Sequence, residues 1–115
     1  MCEKERRVGR RRLDEAASRL SEYQMYRKML AVANALNAED ETEHNRAVDC
    51  VMLRMKMRDI ERSLRALPPC DARMLLELHY LGGMSIEHCA EQLYVSRATA
   101  YRLKNRGLAL WAERA

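Results

Sequence analysis

A chain of 115 residues, 48% hydrophobic and 33% charged, has material for one domain, or a small domain with a helical extension, around a modest core. Only 4 Gly and 2 Pro argue against a sandwich that turns every ten residues or so, and no apolar run approaches the roughly 20 residues of a membrane span. The net charge of +4 permits a polyanionic partner. No apolar h-region follows the charged N-terminus, so the protein is expected in the cytoplasm.

Residues 1–12 read as a basic tail, with Lys4, Arg6, Arg7, Arg10, Arg11 and Arg12 against Glu3 and Glu5. Residues 13–67 read as a helical hairpin or a coiled-coil arm. In its first half Leu13, Ala17 and Leu20, then Met25, Met29, Val32 and Leu36, recur at helical spacing. The acidic stretch Asn37 to Asn45 breaks that pattern. From about Glu43 the series Cys50, Leu53, Met57, Ile60, Leu64, Leu67 steps 3-4-3-4-3, the seam of a helix packed along another. Met52, Met55 and Met57 add an adaptable surface that suits either a partner or the hairpin itself.

Pro68-Pro69 ends that helix, and residues 68–115 read as three short helices. The first, about Asp71 to Leu81, has an apolar face of Met74, Leu75, Leu78 and Leu81 and stops at Gly82-Gly83. The second opens on Ser85 as N-cap and runs through Ile86, Ala90 and Leu93. Tyr94-Val95-Ser96 is a three-residue turn, and Ser96 caps a third helix from Arg97 to about Glu113. That helix turns Ala100, Leu103 and Leu108 inward, with Leu110 and Trp111 closing its end. Two helices joined by so short a turn cross steeply, and small Ala90 lets them approach. This is the helix-turn-helix arrangement, whose second helix fits a major groove. The expected fold is all-α.

Between Ser96 and Leu110 the chain carries four basic residues and no acid. Arg97, Ala98, Tyr101 and Arg102 are placed to meet base edges: Arg pairs with guanine O6/N7, and a short Ala side chain meets a thymine methyl. Ser96, Thr99, Lys104, Asn105 and Arg106 are assigned to phosphates, which set register rather than sequence. Catalytic chemistry is not expected, since no phosphate loop, zinc-protease motif or nucleophile elbow occurs. Neither is a cofactor or metal: Cys70, His79, His88 and Cys89 match no finger or ribbon spacing, and the thiols read as reduced.

Three stretches in order, Leu67 to Tyr80, Met84 to Leu93 and Val95 to Leu103, resemble region four of bacterial sigma factors over about residues 64–112. A hairpin ahead of such a unit is similar to small phage- and prophage-borne transcriptional activators. The resemblance implies a reader of double-stranded promoter DNA, with RNA polymerase as a further partner. It also brings departures. Tyr94 stands where the family usually has Gly, and Ala98 where an acid is common, so the family's sequence preference does not carry over. Gly107 inside the last helix weakens it by up to about 1 kcal/mol relative to Ala. The chain has no room for the family's promoter-melting regions. The expected function is a sequence-specific transcriptional regulator of phage or mobile-element origin, with the hairpin mediating a homodimer or polymerase contact. Two alternatives stay open: a small terminase-like DNA-packaging subunit, and a protein that docks on RNA polymerase without binding DNA.

Overall fold

A computed structural model describes the backbone of residues 2–36 and 43–114 and the side chains of residues 9–35 and 49–114. Most of the acidic break, and the side chains of Lys4, Arg6 and Arg7, lie outside the described residues. The described residues are helical, with no strand: α1 (Cys2–Leu36), α2 (Glu43–Arg65), α3 (Asp71–Leu76) continued by a wider π-helical turn (Glu77–Leu81), α4 (Ile86–Leu93) and α5 (Arg97–Arg114). The segment read as a basic tail is the start of α1.

α1 and α2 form an antiparallel hairpin. Tyr23 donates its hydroxyl to Glu61 Oε1 at 2.9 Å, Lys56 sits 5.4 Å from the Tyr26 ring centre, and Cys50 Sγ lies 3.8 Å from Asn34 Oδ1. The α2 seam packs as its spacing requires. Cys50, Leu53, Leu64 and Leu67 are buried, while Met57 and Ile60 are half-buried. On α1 the expectation is met only in part. Ala16, Leu20 and Tyr23 are buried with Leu13 and Ala17 beside them, but Met25, Met29 and Val32 are about half exposed or more. The methionine stripe is a second apolar face of α1 that is left about half exposed. Periodicity identifies a face without saying which neighbour covers it.

One core joins the base of the hairpin to the C-terminal helices: Ala16 and Leu20 of α1 and Leu64 of α2 meet Leu75, Leu76, Tyr80, Ile86, Cys89, Ala100, Leu108 and Trp111. The expected α3 face needs correction here. Met74 is exposed, whereas Ala72 and Leu76 are buried, because α3 lies between α5 and the hairpin and buries a wide arc rather than a single stripe. Polar links tie the same elements. Trp111 donates its indole N–H to Ser63 Oγ at 2.8 Å under the Arg19 guanidinium, Arg114 Nη1 donates to Ala66 O at 2.6 Å, and Arg73 spans Glu77 and the Leu67 carbonyl.

The π-helical turn closes with Gly82 N–H donating to Glu77 O at 2.9 Å, and Gly83 at φ 71° supplies the left-handed exit. The end of that turn leaves carbonyls without helical partners. Gln24 of α1 reaches across with its side-chain amide, donating to Tyr80 O at 2.9 Å and Leu81 O at 3.0 Å. The stop at Gly82-Gly83 falls where the sequence puts it; the widened turn before it has no signature in the spacing.

Gly107 is buried where α5 crosses α3. A Cβ there would stand 2.9 Å from Ala72 O and 2.9 Å from Leu76 Cγ. Since one of these atoms is backbone, the crossing cannot open cheaply. Gly107→Ala is expected to destabilise by about 1–3 kcal/mol from overpacking, against a propensity gain of at most about 1 kcal/mol. A urea midpoint that rises for this variant would show the crossing to be looser. Burial also pushes the Tyr80 phenol up to about 12. The neutral form is therefore favoured in the folded state, and its contribution is complete below the unfolded value near 10 and fades as pH rises through about 12. Urea midpoints compared at neutral and strongly alkaline pH should fall more for the native chain than for Tyr80→Phe.

Candidate nucleic-acid interface

Serine caps set the two helices of the motif. Ser85 accepts from His88 N–H at 3.1 Å to open α4, and Ser96 accepts from Thr99 N–H at 3.1 Å to open α5. Between them Tyr94 closes α4 in the left-handed conformation, φ 56° and ψ 42°, with its N–H turned back to Glu91 O. Its side chain is 95% exposed, so the ring gains nothing from packing that would offset the backbone cost. The turn thus has the shape a glycine would take, with tyrosine in its place. The two helices meet through Ile86, Ala90 and Ala100, all buried, with Leu93, Val95 and Leu103 at the margin. Cys89 is fully buried among them, and burial pushes its thiol up.

With Ala100, Gly107, Leu108 and Trp111 committed to the core, the opposite side of α5 is open. Arg97, Ala98, Tyr101, Arg102, Asn105 and Arg106 are exposed, and Lys104 and Thr99 are half-buried. Apart from Arg106, the residues assigned to bases and those assigned to phosphates on α5 therefore share one helix face and its edges. That face points outward and is not packed against the preceding helices. No acid stands in its first turn.

The face is partly ordered by its own contacts. Tyr101 lies between two cations, Arg97 at 5.7 Å and Lys104 at 6.0 Å from its ring centre. Arg97 also meets Glu87 of α4, Nε to Oε1 at 3.2 Å, and the Tyr101 and Glu87 contacts, in that order, raise its pKa. Glu87 is a site residue that sequence reasoning missed. Its only signal is an acid in the first turn of the helix that crosses behind the arginine. The Arg97 side chain remains 70% exposed, so the pair orients the guanidinium more than it stabilises the fold.

Hydroxyl geometry separates two of the phosphate candidates. Ser96 Oγ donates its hydrogen to Thr99 Oγ1 at 2.9 Å while accepting the Thr99 N–H, so both of its roles are used inside the cap. The Thr99 hydroxyl hydrogen is the one left to offer an anion. Arg106 stands apart from the others, at a shallow pocket shared with Cys70, Asp71, Ala72 and Leu103. Among the described residues no cluster of three or more His, Cys, Asp or Glu could hold a metal ion. Cys89 is buried, whereas Cys70 and His88 are exposed and His79 Nδ1 donates to Met84 O at 2.6 Å. No described helix is long and apolar enough to cross a membrane.

The family model described as Sigma-70, region 4 matches residues 57–110, from the last turns of α2 to near the end of α5. That match supports a sigma-70 region 4-like helix-turn-helix for this part of the chain. No curated protein and no solved structure gives a match. Tyr94→Gly is expected to stabilise the fold by roughly 0.5–1 kcal/mol: relief of a left-handed non-glycine residue outweighs the added chain entropy of glycine. A lower thermal midpoint for this variant would show that the ring has a packing role.

Proposed function

From the match of residues 57–110 to Sigma-70, region 4, we propose that the protein is a sequence-specific transcriptional regulator that lays α5 in the major groove of double-stranded DNA. One observation carries this reading: the arginine-bearing side of α5 is exposed and acid-free while its rear is locked in the core. Arg97 and Arg102 offer planar forks for guanine edges, Ala98 permits close approach, and Tyr101 supplies a ring and a hydroxyl between them. Lys104, Asn105, Arg106 and the Thr99 hydroxyl serve as phosphate contacts. Ser96 holds the helix start, and its assigned phosphate contact requires its hydroxyl to leave Thr99. The likeness to a polymerase-associated family makes RNA polymerase the natural second partner.

Glu87 acts within this reading as a local counter-charge. It holds Arg97 in place before DNA arrives and disfavours phosphate at that end of the face.

Fragments selected from random duplex DNA should converge on a defined site, with binding that falls steeply as salt rises. Arg102→Ala is expected to relax preference at one base pair, by about 1–3 kcal/mol. Lys104→Ala should instead weaken all sequences alike and lower the salt slope by about 1. If both variants bind DNA as the native chain does, α5 is not the reading helix. Binding to RNA polymerase with no affinity for duplex would favour docking on the enzyme.

A further inference from the structure

The contact proposed for α5 leaves unexplained where the chain keeps its positive charge. Residues 1–12 hold six basic and two acidic side chains, a surplus of four that equals the net charge of the whole chain. Residues 13–115 balance, with 15 of each sign. The surplus lies on a helix, since α1 starts at Cys2. Leu13 is the first described residue of α1 packed on the core, and Arg10, Arg11 and Arg12 before it are exposed. Asp14 and Glu15 follow, so the positive end of the helix stops where the core begins. Among the described residues the ion pairs lie elsewhere, Arg73 with Glu77 and Arg97 with Glu87.

The fold also fixes what this end stands beside. Arg12, Glu15, Ala16 and Arg19 of α1 share a shallow pocket with Trp111 and Ala112 of α5, and the Arg19 guanidinium lies 5.0 Å from the Trp111 ring centre. Ala112 follows Asn105 by seven residues and Tyr101 by eleven, so all three occupy one flank of α5. The basic end of α1 is thus seated where that flank ends, and the proposed base contacts lie where it begins. α5 has 18 residues and is about 27 Å long, more than twice the roughly 12 Å width of a major groove. With Arg97 and Ala98 inside the groove, the far end of α5 stands at the groove wall, where the phosphates run.

We propose that Arg10, Arg11 and Arg12 form a second, sequence-independent contact with the DNA backbone that flanks the site read by α5. This rests on the major-groove reading of α5. Consecutive positions on a helix point about 100° apart, so the three guanidiniums spread charge over a broad arc and do not converge on one group. Such an arc suits a row of phosphates, which rewards charge and carries no sequence information.

Equilibrium binding of the full chain to duplex DNA tests the contact with a triple variant, Arg10→Ala with Arg11→Ala and Arg12→Ala. Alanine favours helix at these exposed positions, so helicity by circular dichroism should be unchanged. On a duplex that holds the selected site between two flanks, the variant should bind roughly 10- to 30-fold more weakly, and its salt slope should fall by about 2–3. Mixed-sequence duplex should show the same loss, which leaves the ratio of specific to non-specific affinity unchanged. On a duplex trimmed to the selected site, native chain and variant should bind alike. A triple variant with native affinity and salt slope on the flanked duplex overturns the α1 contact, and relaxed preference in Arg102→Ala would then still uphold α5 as the reading helix. Loss of RNA polymerase binding with DNA binding intact overturns it in favour of a protein partner. Where Arg102→Ala and Lys104→Ala leave DNA binding at the native level, the α5 reading fails and the flanking contact with it.

Discussion

The rear of α5 is where this protein is held together. Along 18 residues it supplies Ala100 to the helix behind it, Gly107 and Leu108 to α3, and Trp111 to the base of the hairpin. These residues lie on one side of the helix, so that the opposite side is left to solvent with its arginines. The direction in which the basic face points is thus decided by apolar residues that lie on the other side of the same helix. The core contacts and the exposed basic face are two sides of one packing arrangement, and rotating α5 would change both.

Gly107 shows how tightly that arrangement is drawn. Read alone, a glycine just past the middle of a helix is a weakness worth up to about 1 kcal/mol. In the fold it faces the α3 backbone, and the missing side chain is what lets Ala72 and Leu76 sit against α5. Trp111 then closes the far end by a hydrogen bond to Ser63, while Arg19 covers its ring. The hairpin base is consequently part of the same core and not an appendage to it.

What the residues disclosed, and what they withheld, follows from whether the deciding physics is local. Ser85 and Ser96 announce two helix starts because capping is satisfied within three residues, and the 3-4 seam of α2 is legible because it faces a single neighbour. The exposed side of α5 was legible because its apolar and basic residues segregate. α3 was misread in part: with α5 on one side and the hairpin on another, Leu76 goes inside and Met74 outside. On α1 the spacing shows two apolar stripes, and spacing alone does not say which of them is covered. Glu87 was missed since its importance comes from a crossing that brings it to Arg97 from ten residues away.

Gln24 has a mechanical consequence. Its amide grips the Tyr80 and Leu81 carbonyls at the end of the π-helical turn, just before the chain enters α4. Beyond that grip α1 continues as a helix to Leu36, a distance of roughly 18 Å at 1.5 Å per residue. Gln24 thus adds a polar tie from α1 to the segment that leads into α4, beside the apolar contacts that already join the hairpin base to the C-terminal helices.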